Sequence, residues 1–145
     1  MKKIGWWVSG GWLLLLALGC GSSDAVVVTG TVTLDGRPLP DALVTFYPEG
    51  TTAGLGGSGR TGADGQYTIT PSRKGQALLG TYRVVISRRL RPDGSPADPK
   101  VPPIESDARE TLPPMYSQRE ASKLTVTVTR DQTNYDFPLR SQSKK

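Results

Sequence analysis

Histidine is absent from this 145-residue chain, and cysteine occurs once, as Cys20. Without histidine, neither a Ser-His-Asp triad nor a Cys-His pair can be assembled, so these forms of nucleophilic catalysis are excluded. Zinc sites built from histidine and cysteine are excluded for the same reason. A single cysteine also cannot form a disulfide within the chain, and a free thiol in an oxidising compartment needs another explanation.

Long apolar runs are also scarce, and the one that stands out lies at the N-terminus. Met1-Lys2-Lys3 supplies positive charge, and residues 4–18 then carry no charge and end in a leucine-rich run. These 15 residues are fewer than the roughly 20 that a membrane-spanning helix needs. The pattern predicts a signal peptide over residues 1–19, with an uncleaved N-terminal anchor as an alternative.

The sequence around Cys20 offers an explanation for the lone thiol. Ala17-Leu18-Gly19-Cys20 resembles the bacterial lipobox, with Ala17 where leucine is usual. The resemblance implies that a diacylglyceryl group is added to the thiol and that cleavage occurs between Gly19 and Cys20. An ordinary cleaved signal peptide, in which Cys20 has no role, is the other alternative. Residues 20–25 are small and polar and would tether a domain to the membrane.

The mature chain predicted by this cleavage carries a modest charge. Losing the two lysines of the signal segment lowers the basic count from 18 to 16, against 13 acidic residues, which gives +3. No stripe of basic and aromatic residues is present, so nucleic-acid binding is not expected. All three tryptophans (Trp6, Trp7 and Trp12) lie in the signal segment. Gly21 follows the cysteine where aspartate would signal inner-membrane retention, which favours the outer membrane of the cell envelope.

Alternation of apolar and polar residues with a period of two dominates residues 26–140 and predicts β-strands. The segments that show it are 26–34, 42–48, 66–70, 80–86, 124–128 and 135–139, with a weaker seventh candidate at Arg60-Thr61. Gly30 interrupts the inward face of the first segment and predicts a bulge or a close packing contact. Helical periodicity is limited to a turn or two within residues 117–123. Many short strands joined by Gly and Pro turns predict an all-β sandwich.

Two segments of the domain predict loops. Residues 49–59 are rich in glycine, and residues 88–116 hold seven of the twelve prolines. Because proline interrupts β-ladders, the second segment is predicted to be a long loop over the sandwich without strands. Loops of this length are functional or disordered, and both alternatives stay open. Residues 141–145 form a polar tail.

Several motifs in residues 26–86 occur in a distinctive order. They are Gly30-x-Val32, Asp35-Gly36-x-Pro38-Leu39-x-x-Ala42-x-Val44-x-Phe46, Thr61-x-Ala63-Asp64-Gly65-Gln66-Tyr67 and Gly80-x-Tyr82-x-Val84. This order resembles the carboxypeptidase regulatory-like domain, a seven-stranded transthyretin-like (prealbumin-like) β-sandwich. Pro113-Pro114-Met115-Tyr116 is similar to a late segment of small lipid-anchored proteins built from that domain. The resemblance implies a fold and a location but no reaction, and transthyretin-like hydrolases of purine degradation rely on histidines absent here.

The candidate contact residues are basic or aromatic. Arg88, Arg89 and Arg91 would face an anionic polymer or lipid headgroups, or else form a solvated strand end. Tyr47 and Tyr116 are the aromatic residues not assigned to the core and would supply contacts to a glycan. The carboxylates in turns lack the spacing of a calcium loop. The sequence therefore predicts no metal, no cofactor and no enzymatic activity.

Two functions are compatible with these features. The first is a non-catalytic cell-envelope domain, held to the membrane through the Cys20 lipid, that acts in protein–protein interaction or envelope architecture. Its sheet edges could accept a strand from a partner protein. The alternative is a small-ligand or carbohydrate-binding module that uses the 49–60 and 88–116 loops.

Overall fold

The computed structural model describes residues 26–73 and 78–141. The predicted signal peptide, the cleavage site between Gly19 and Cys20, the lipidation of Cys20 and most of the polar tail lie outside these residues. Within the described ranges, no helix is long and apolar enough to cross a membrane.

Short strands account for nearly all of the regular structure. They are β1 (Val28–Leu34), β2 (Arg37–Pro38), β3 (Leu43–Pro48), β4 (Gly57–Arg60), β5 (Gln66–Pro71), β6 (Gly80–Ser87), β7 (Arg89–Leu90), β8 (Arg109–Glu110), β9 (Thr125–Val128) and β10 (Phe137–Leu139), with one helical turn, α1 (Pro114–Ser117), between β8 and β9. The predicted all-β class is confirmed.

Seven strands form one continuous curled sheet in the order β10-β1-β5-β4-β3-β6-β9. Every pairing along it is antiparallel except that of β10 with β1, and β2 pairs with the end of β1. The sheet curls so that its inner face encloses the core, which makes the domain a β-sandwich. A separate hairpin joins β7 to β8.

The core consists of the inward residues of the alternating strands. Most of the predicted inward positions are buried, including Val28, Val32, Ala42, Val44, Phe46, Tyr67, Ile69, Tyr82, Val84, Ile86, Val126, Val128, Phe137 and Leu139. Leu34, Leu124 and Tyr135 are partly buried and pack against this core. Period-two alternation therefore identifies the buried face of each long strand.

Gly30 marks a close packing contact, as its interruption of the β1 pattern predicts. A Cβ atom at this position would overlap the backbone oxygen of Tyr135 and lie 2.8 Å from the Tyr67 hydroxyl. That hydroxyl donates a hydrogen bond of 2.6 Å to the same Tyr135 oxygen. The absence of a side chain at Gly30 thus lets the segment before β10 lie directly against β1.

Two predictions about loops are wrong in part. Strand β4 (Gly57–Arg60) pairs with β3 and β5, and it begins inside the stretch 49–59 that was predicted to be a glycine-rich loop. It ends at Arg60, which belongs to the weaker strand candidate Arg60-Thr61. Residues 88–116, predicted to contain no strand, hold the β7–β8 hairpin and most of α1. The helical turn also lies earlier than the predicted 117–123.

The strands run between two ends of the sandwich, an entry end where the chain enters it and a far end opposite. At the entry end lie Val26, the start of β1, and the ends of β3 and β5 at Pro48 and Pro71. At the far end, Leu43 pairs with both Arg60 and Ser87. The segment 88–113 therefore leaves and rejoins the sandwich at the end opposite Val26.

Candidate functional site

The proline-rich segment folds into an appendage, residues 88–113, at the far end. It leaves the sheet after Ser87, the last residue of β6, and returns at Leu112, whose side chain is buried in the core. At its base Arg89 pairs with Glu110, and Leu90 pairs with Arg109. The segment thus has a defined conformation that is anchored to the sandwich at both ends.

Short polar side chains fix the turns within the appendage. The carboxylate of Asp93 accepts hydrogen bonds from the backbone N–H and the hydroxyl of Ser95, at 2.9 and 2.6 Å. These hydrogen bonds hold the pKa of Asp93 below its usual value, because they favour the charged form. Asp98 repeats the arrangement by accepting the N–H of Lys100 at 2.9 Å. Both are turns of the kind that aspartate side chains stabilise.

Glu110 fastens the base of the appendage to the sheet. Its Oε2 accepts a hydrogen bond of 2.5 Å from the hydroxyl of Ser87. Its Oε1 accepts the backbone N–H groups of Arg88, Thr111 and Leu112 at 2.9, 3.1 and 3.0 Å. Hydrogen bonds to an ionised carboxylate are stronger than neutral ones. One exposed side chain therefore holds both strands of the base together.

Two arginines of the predicted basic cluster form contacts within the appendage. The Arg89 guanidinium donates to the carbonyl oxygens of Ala108 at 2.7 Å and Pro103 at 3.4 Å. Arg91 Nε lies 3.8 Å from Asp107 Oδ1. These arginines therefore stabilise the loop itself, whatever else they contact.

The three predicted arginines line separate hollows and do not form a single surface. Arg88 borders a hollow beside Arg37 and Pro38, whereas Arg91 borders one beside Arg109. Arg89 lines a groove between the appendage and the sheet. An anionic polymer would thus meet these cations one at a time and not as a cluster.

The groove that contains Arg89 has a volume of about 170 Å³. The sheet contributes Leu43, Arg60 and Ser87, and the appendage contributes Arg89, Ala97, Asp98, Pro99, Val101, Pro103 and Ser106. Arg60 is held in place because its Nη1 donates to the Asp41 carbonyl oxygen at 3.1 Å. Typical small-molecule pockets enclose about 300–1,000 Å³. The volume of the groove is smaller than that of such pockets, so the groove suits a side chain or a short segment of a partner.

A second hollow, which sequence analysis does not predict, lies on the outer face of β1, β5 and β4. It has a volume of about 400 Å³ and is lined by Thr29, Gly30, Thr31, Arg60, Gln66, Tyr67, Thr68 and Asn134. Alternation identifies several of these residues as outward-facing, but it does not reveal which strands lie side by side. The lining is mostly polar, as expected of a sheet face that meets water.

Tyr47 and Tyr116, the two predicted aromatic contact residues, lie apart, and each contacts another residue of the chain. Tyr47 lies toward the entry end of β3, and the Arg119 guanidinium carbon lies 4.6 Å from its ring centroid. Tyr116 lies in α1 and packs against the core, and its hydroxyl accepts the Arg140 N–H at 3.3 Å. The two tyrosines therefore do not form a joint platform with Arg88, Arg89 or Arg91.

The 49–60 and 88–116 loops also lie at opposite ends of the sandwich for most of their length. Residues 49–56 connect β3 to β4 at the entry end, whereas the appendage lies at the far end. Arg60 alone in the first loop lines the groove beside the appendage. A joint binding site would therefore involve Arg60 and not the glycine-rich part of that loop.

The titratable groups with shifted pKa values favour their ordinary charge states at neutral pH. Burial raises the pKa of Tyr82 and Tyr135, and hydrogen bonds from Ser141 lower the pKa of Asp35. These shifts keep the tyrosines neutral and the carboxylate ionised, so they create no group poised for proton transfer near pH 7. Within residues 26–73 and 78–141, no three His, Cys, Asp or Glu residues are grouped so as to hold a metal ion.

Fold and site together define a small all-β sandwich domain with a braced appendage at one end. No protein-family model matches the chain, and no curated protein matches it. Among solved structures it is similar to a DUF3823 family protein from Parabacteroides merdae, with 17% identity and a TM-score of 0.36. The match covers 81% of this chain and 46% of that protein, so the chain spans less than half of its length.

Proposed function

We propose that the chain is a non-catalytic lipoprotein of the cell envelope that presents its appendage to a partner protein. The observation that carries this proposal is the position of the appendage at the far end, opposite the point where residues 1–25 join the sandwich. A lipid on Cys20 would hold the entry end near the membrane. The appendage would then face away from it.

The length of the sandwich sets how far the appendage is carried from the membrane. Strand β6 spans eight residues from Gly80 at the entry end to Ser87 at the base of the appendage. At about 3.3 Å per residue, eight residues cover roughly 26 Å. The transthyretin-like topology and the lipid anchor remain parts of the proposal, supported by the motifs of residues 26–86 and by the lipobox-like sequence. The outer membrane is the favoured location because Gly21 follows Cys20.

The appendage exposes a large apolar side chain to water, and a partner protein could bury it. Ile104 is 93% exposed, and Pro102 and Pro103 precede it. A rigid loop that displays an isoleucine loses little conformational entropy when a partner binds it. Braced turns and the Glu110 contacts supply that rigidity. This favours protein–protein interaction over a flexible linker role.

Site-directed photo-crosslinking in cells tests this function. We expect a photoreactive residue at position 104 to form a discrete adduct with an envelope protein. The matched control is position 68, where Thr68 is exposed on the outer sheet face. The adduct should weaken when Glu110→Ala loosens the appendage. Equal crosslinking from both positions, or none from position 104, would contradict the proposal.

A small-ligand or carbohydrate-binding module is the second candidate, favoured by the polar hollow on the outer face of β1, β5 and β4. Arg60, Gln66 and Asn134 there could donate hydrogen bonds to a glycan. A ligand that binds the folded state raises the melting temperature with its concentration. A thermal-shift screen with a glycan panel therefore tests this alternative, with Arg60→Ala as the variant expected to lose the response.

A further inference from the structure

The loop 49–56 holds an apolar side chain in water at the entry end of the sandwich. Leu55 is 63% exposed, between Gly54 with φ 98° and Gly56 with φ 71°. Positive φ values favour glycine, so these two positions select the backbone path on either side of Leu55. The loop therefore directs the leucine outward by its own conformation.

Hydrogen bonds to neighbouring strands fix both sides of this loop. Thr52 Oγ1 accepts the N–H of Thr81 at 2.8 Å, and Gly56 O accepts the N–H of Ser72 at 2.9 Å. A Cβ atom on Gly56 would overlap the carbonyl oxygen of Phe46, so the loop lies directly on β3 there. These contacts hold the loop backbone on either side of Leu55.

A second exposed apolar side chain lies at the same end. Val27, just before β1, is 46% exposed. Strand β5 separates β1 from β4, so the starts of β1 and β4 lie about 10 Å apart across the sheet, at two strand spacings. Val27 precedes the first of these strands and Leu55 the second.

The described charged residues at the entry end have a small positive excess, three arginines against two carboxylates, which favours an anionic bilayer surface over a neutral one. Arg73 and Arg130 are exposed after β5 and β9. Of the described acidic residues there, Glu49 forms an ion pair with Arg83, and Asp131 is exposed. Cations near a bilayer are attracted to anionic headgroups, while apolar side chains enter the boundary below them.

We propose that the entry end, with Leu55 and Val27 as its apolar contacts, lies on the surface of the lipid bilayer. This inference rests on the proposed anchoring of Cys20. Residues 20–25 span at most about 20 Å when extended, so the lipid keeps the entry end within that distance of the membrane. The contact orients the domain and directs the appendage outward.

Tryptophan fluorescence offers a sensitive test, because all three native tryptophans lie in the predicted signal peptide. The full chain is expressed in bacteria, purified from membranes and reconstituted into vesicles of phosphatidylethanolamine and phosphatidylglycerol, with and without bromine on the acyl chains. The variants are Leu55→Trp and the control Ile104→Trp at the far end. Side chains of interfacial segments lie about 5–10 Å into the headgroup–acyl boundary, within reach of these bromines.

We expect the Leu55→Trp emission to shift to shorter wavelength and to be quenched by the brominated lipid, with Ile104→Trp unaffected. Equal, unquenched emission from both variants would overturn the membrane contact. A blue shift without quenching would also overturn it, since the side chain would then lie against protein. Tryptophan emission from the wild type would instead show that residues 1–19 are retained. That result contradicts the proposed cleavage. The membrane contact of position 55 is then measured as the difference in emission and quenching between Leu55→Trp and the wild type.

Discussion

The hydroxyl of Ser87 donates a hydrogen bond of 2.5 Å to the carboxylate of Glu110, 23 residues further along the chain. Glu110 also accepts three backbone N–H groups, so its side chain joins both strands at the base of the appendage. Thr111 adds hydrogen bonds of 2.9 Å from its backbone N–H and its hydroxyl to the Arg88 carbonyl oxygen. The Ser87–Glu110 contact therefore closes a segment that holds five prolines between these two residues.

Glu110→Ala should loosen the appendage without unfolding the sandwich. The variant loses four hydrogen bonds at the base, whereas the core beneath it keeps its packing. We expect trypsin to cleave after Lys100 about tenfold faster than in the wild type, because local opening becomes more frequent. The melting temperature should change little.

Glu105→Ala is the matched control for this experiment, since Glu105 is an exposed carboxylate of the same appendage. Its cleavage rate should equal that of the wild type. If Glu110→Ala is cleaved no faster than Glu105→Ala, the base is not held by Glu110.

Gly30→Ala should destabilise the whole domain. The added methyl group overlaps the backbone oxygen of Tyr135 and crowds the Tyr67 hydroxyl, so the segment before β10 must move away from β1. Overpacking of this kind costs about 1–3 kcal/mol. Urea unfolding should show a loss of this size in the free energy of unfolding. Gly62→Ala, where the nearest atom is a side-chain oxygen at 3.3 Å, should change it by less than about 0.5 kcal/mol.

Tyr67 should make the domain less stable in alkali. Burial, with smaller effects of Asp136 and Tyr135, raises the pKa of Tyr67 above its ordinary value of 10.0. Above pH 10.0 the unfolded chain releases this proton while the folded chain keeps it. The stability is therefore complete below that pH and falls as the pH rises toward the folded-state pKa.

The variant Tyr67→Phe tests this pH dependence. It removes the hydrogen bond to the Tyr135 carbonyl oxygen, which costs about 0.5–1.5 kcal/mol at neutral pH. Its unfolding free energy should then fall less steeply above pH 10.0 than that of the wild type. An identical slope in both proteins would show that Tyr67 does not carry the effect.

Much of the sandwich could be predicted from sequence because most of its long strands alternate apolar with polar residues. In residues 28–33 and 125–128 threonine alternates with valine or glycine, and the sheet buries the valines and leaves the threonines exposed or half-buried. Strand β4 was predicted only at its last residue, through the weaker candidate Arg60-Thr61, because Gly-Ser-Gly has low strand propensity. It forms because Gly57 and Gly59 have no Cβ to clash with the carbonyl oxygens of Thr70 and Thr68 in β5.

The candidate site was less predictable than the fold. Proline content correctly indicates that residues 88–116 leave the sheet. No sequence pattern around Glu110, however, indicates that its carboxylate accepts four hydrogen bonds. The adjacent arginines predict one basic cluster, whereas the appendage directs Arg88, Arg89 and Arg91 to separate hollows. Contacts between distant residues decide these features, and periodicity does not encode them.

Lipidation of Cys20 is the central claim, because it sets the membrane location, the orientation of the sandwich and the outward position of the appendage. Metabolic labelling with a fatty-acid analogue, applied to the full chain and to Cys20→Ala at matched expression, tests it directly. We predict that the wild type incorporates the label and that Cys20→Ala incorporates none. Equal incorporation by the two proteins would contradict the claim.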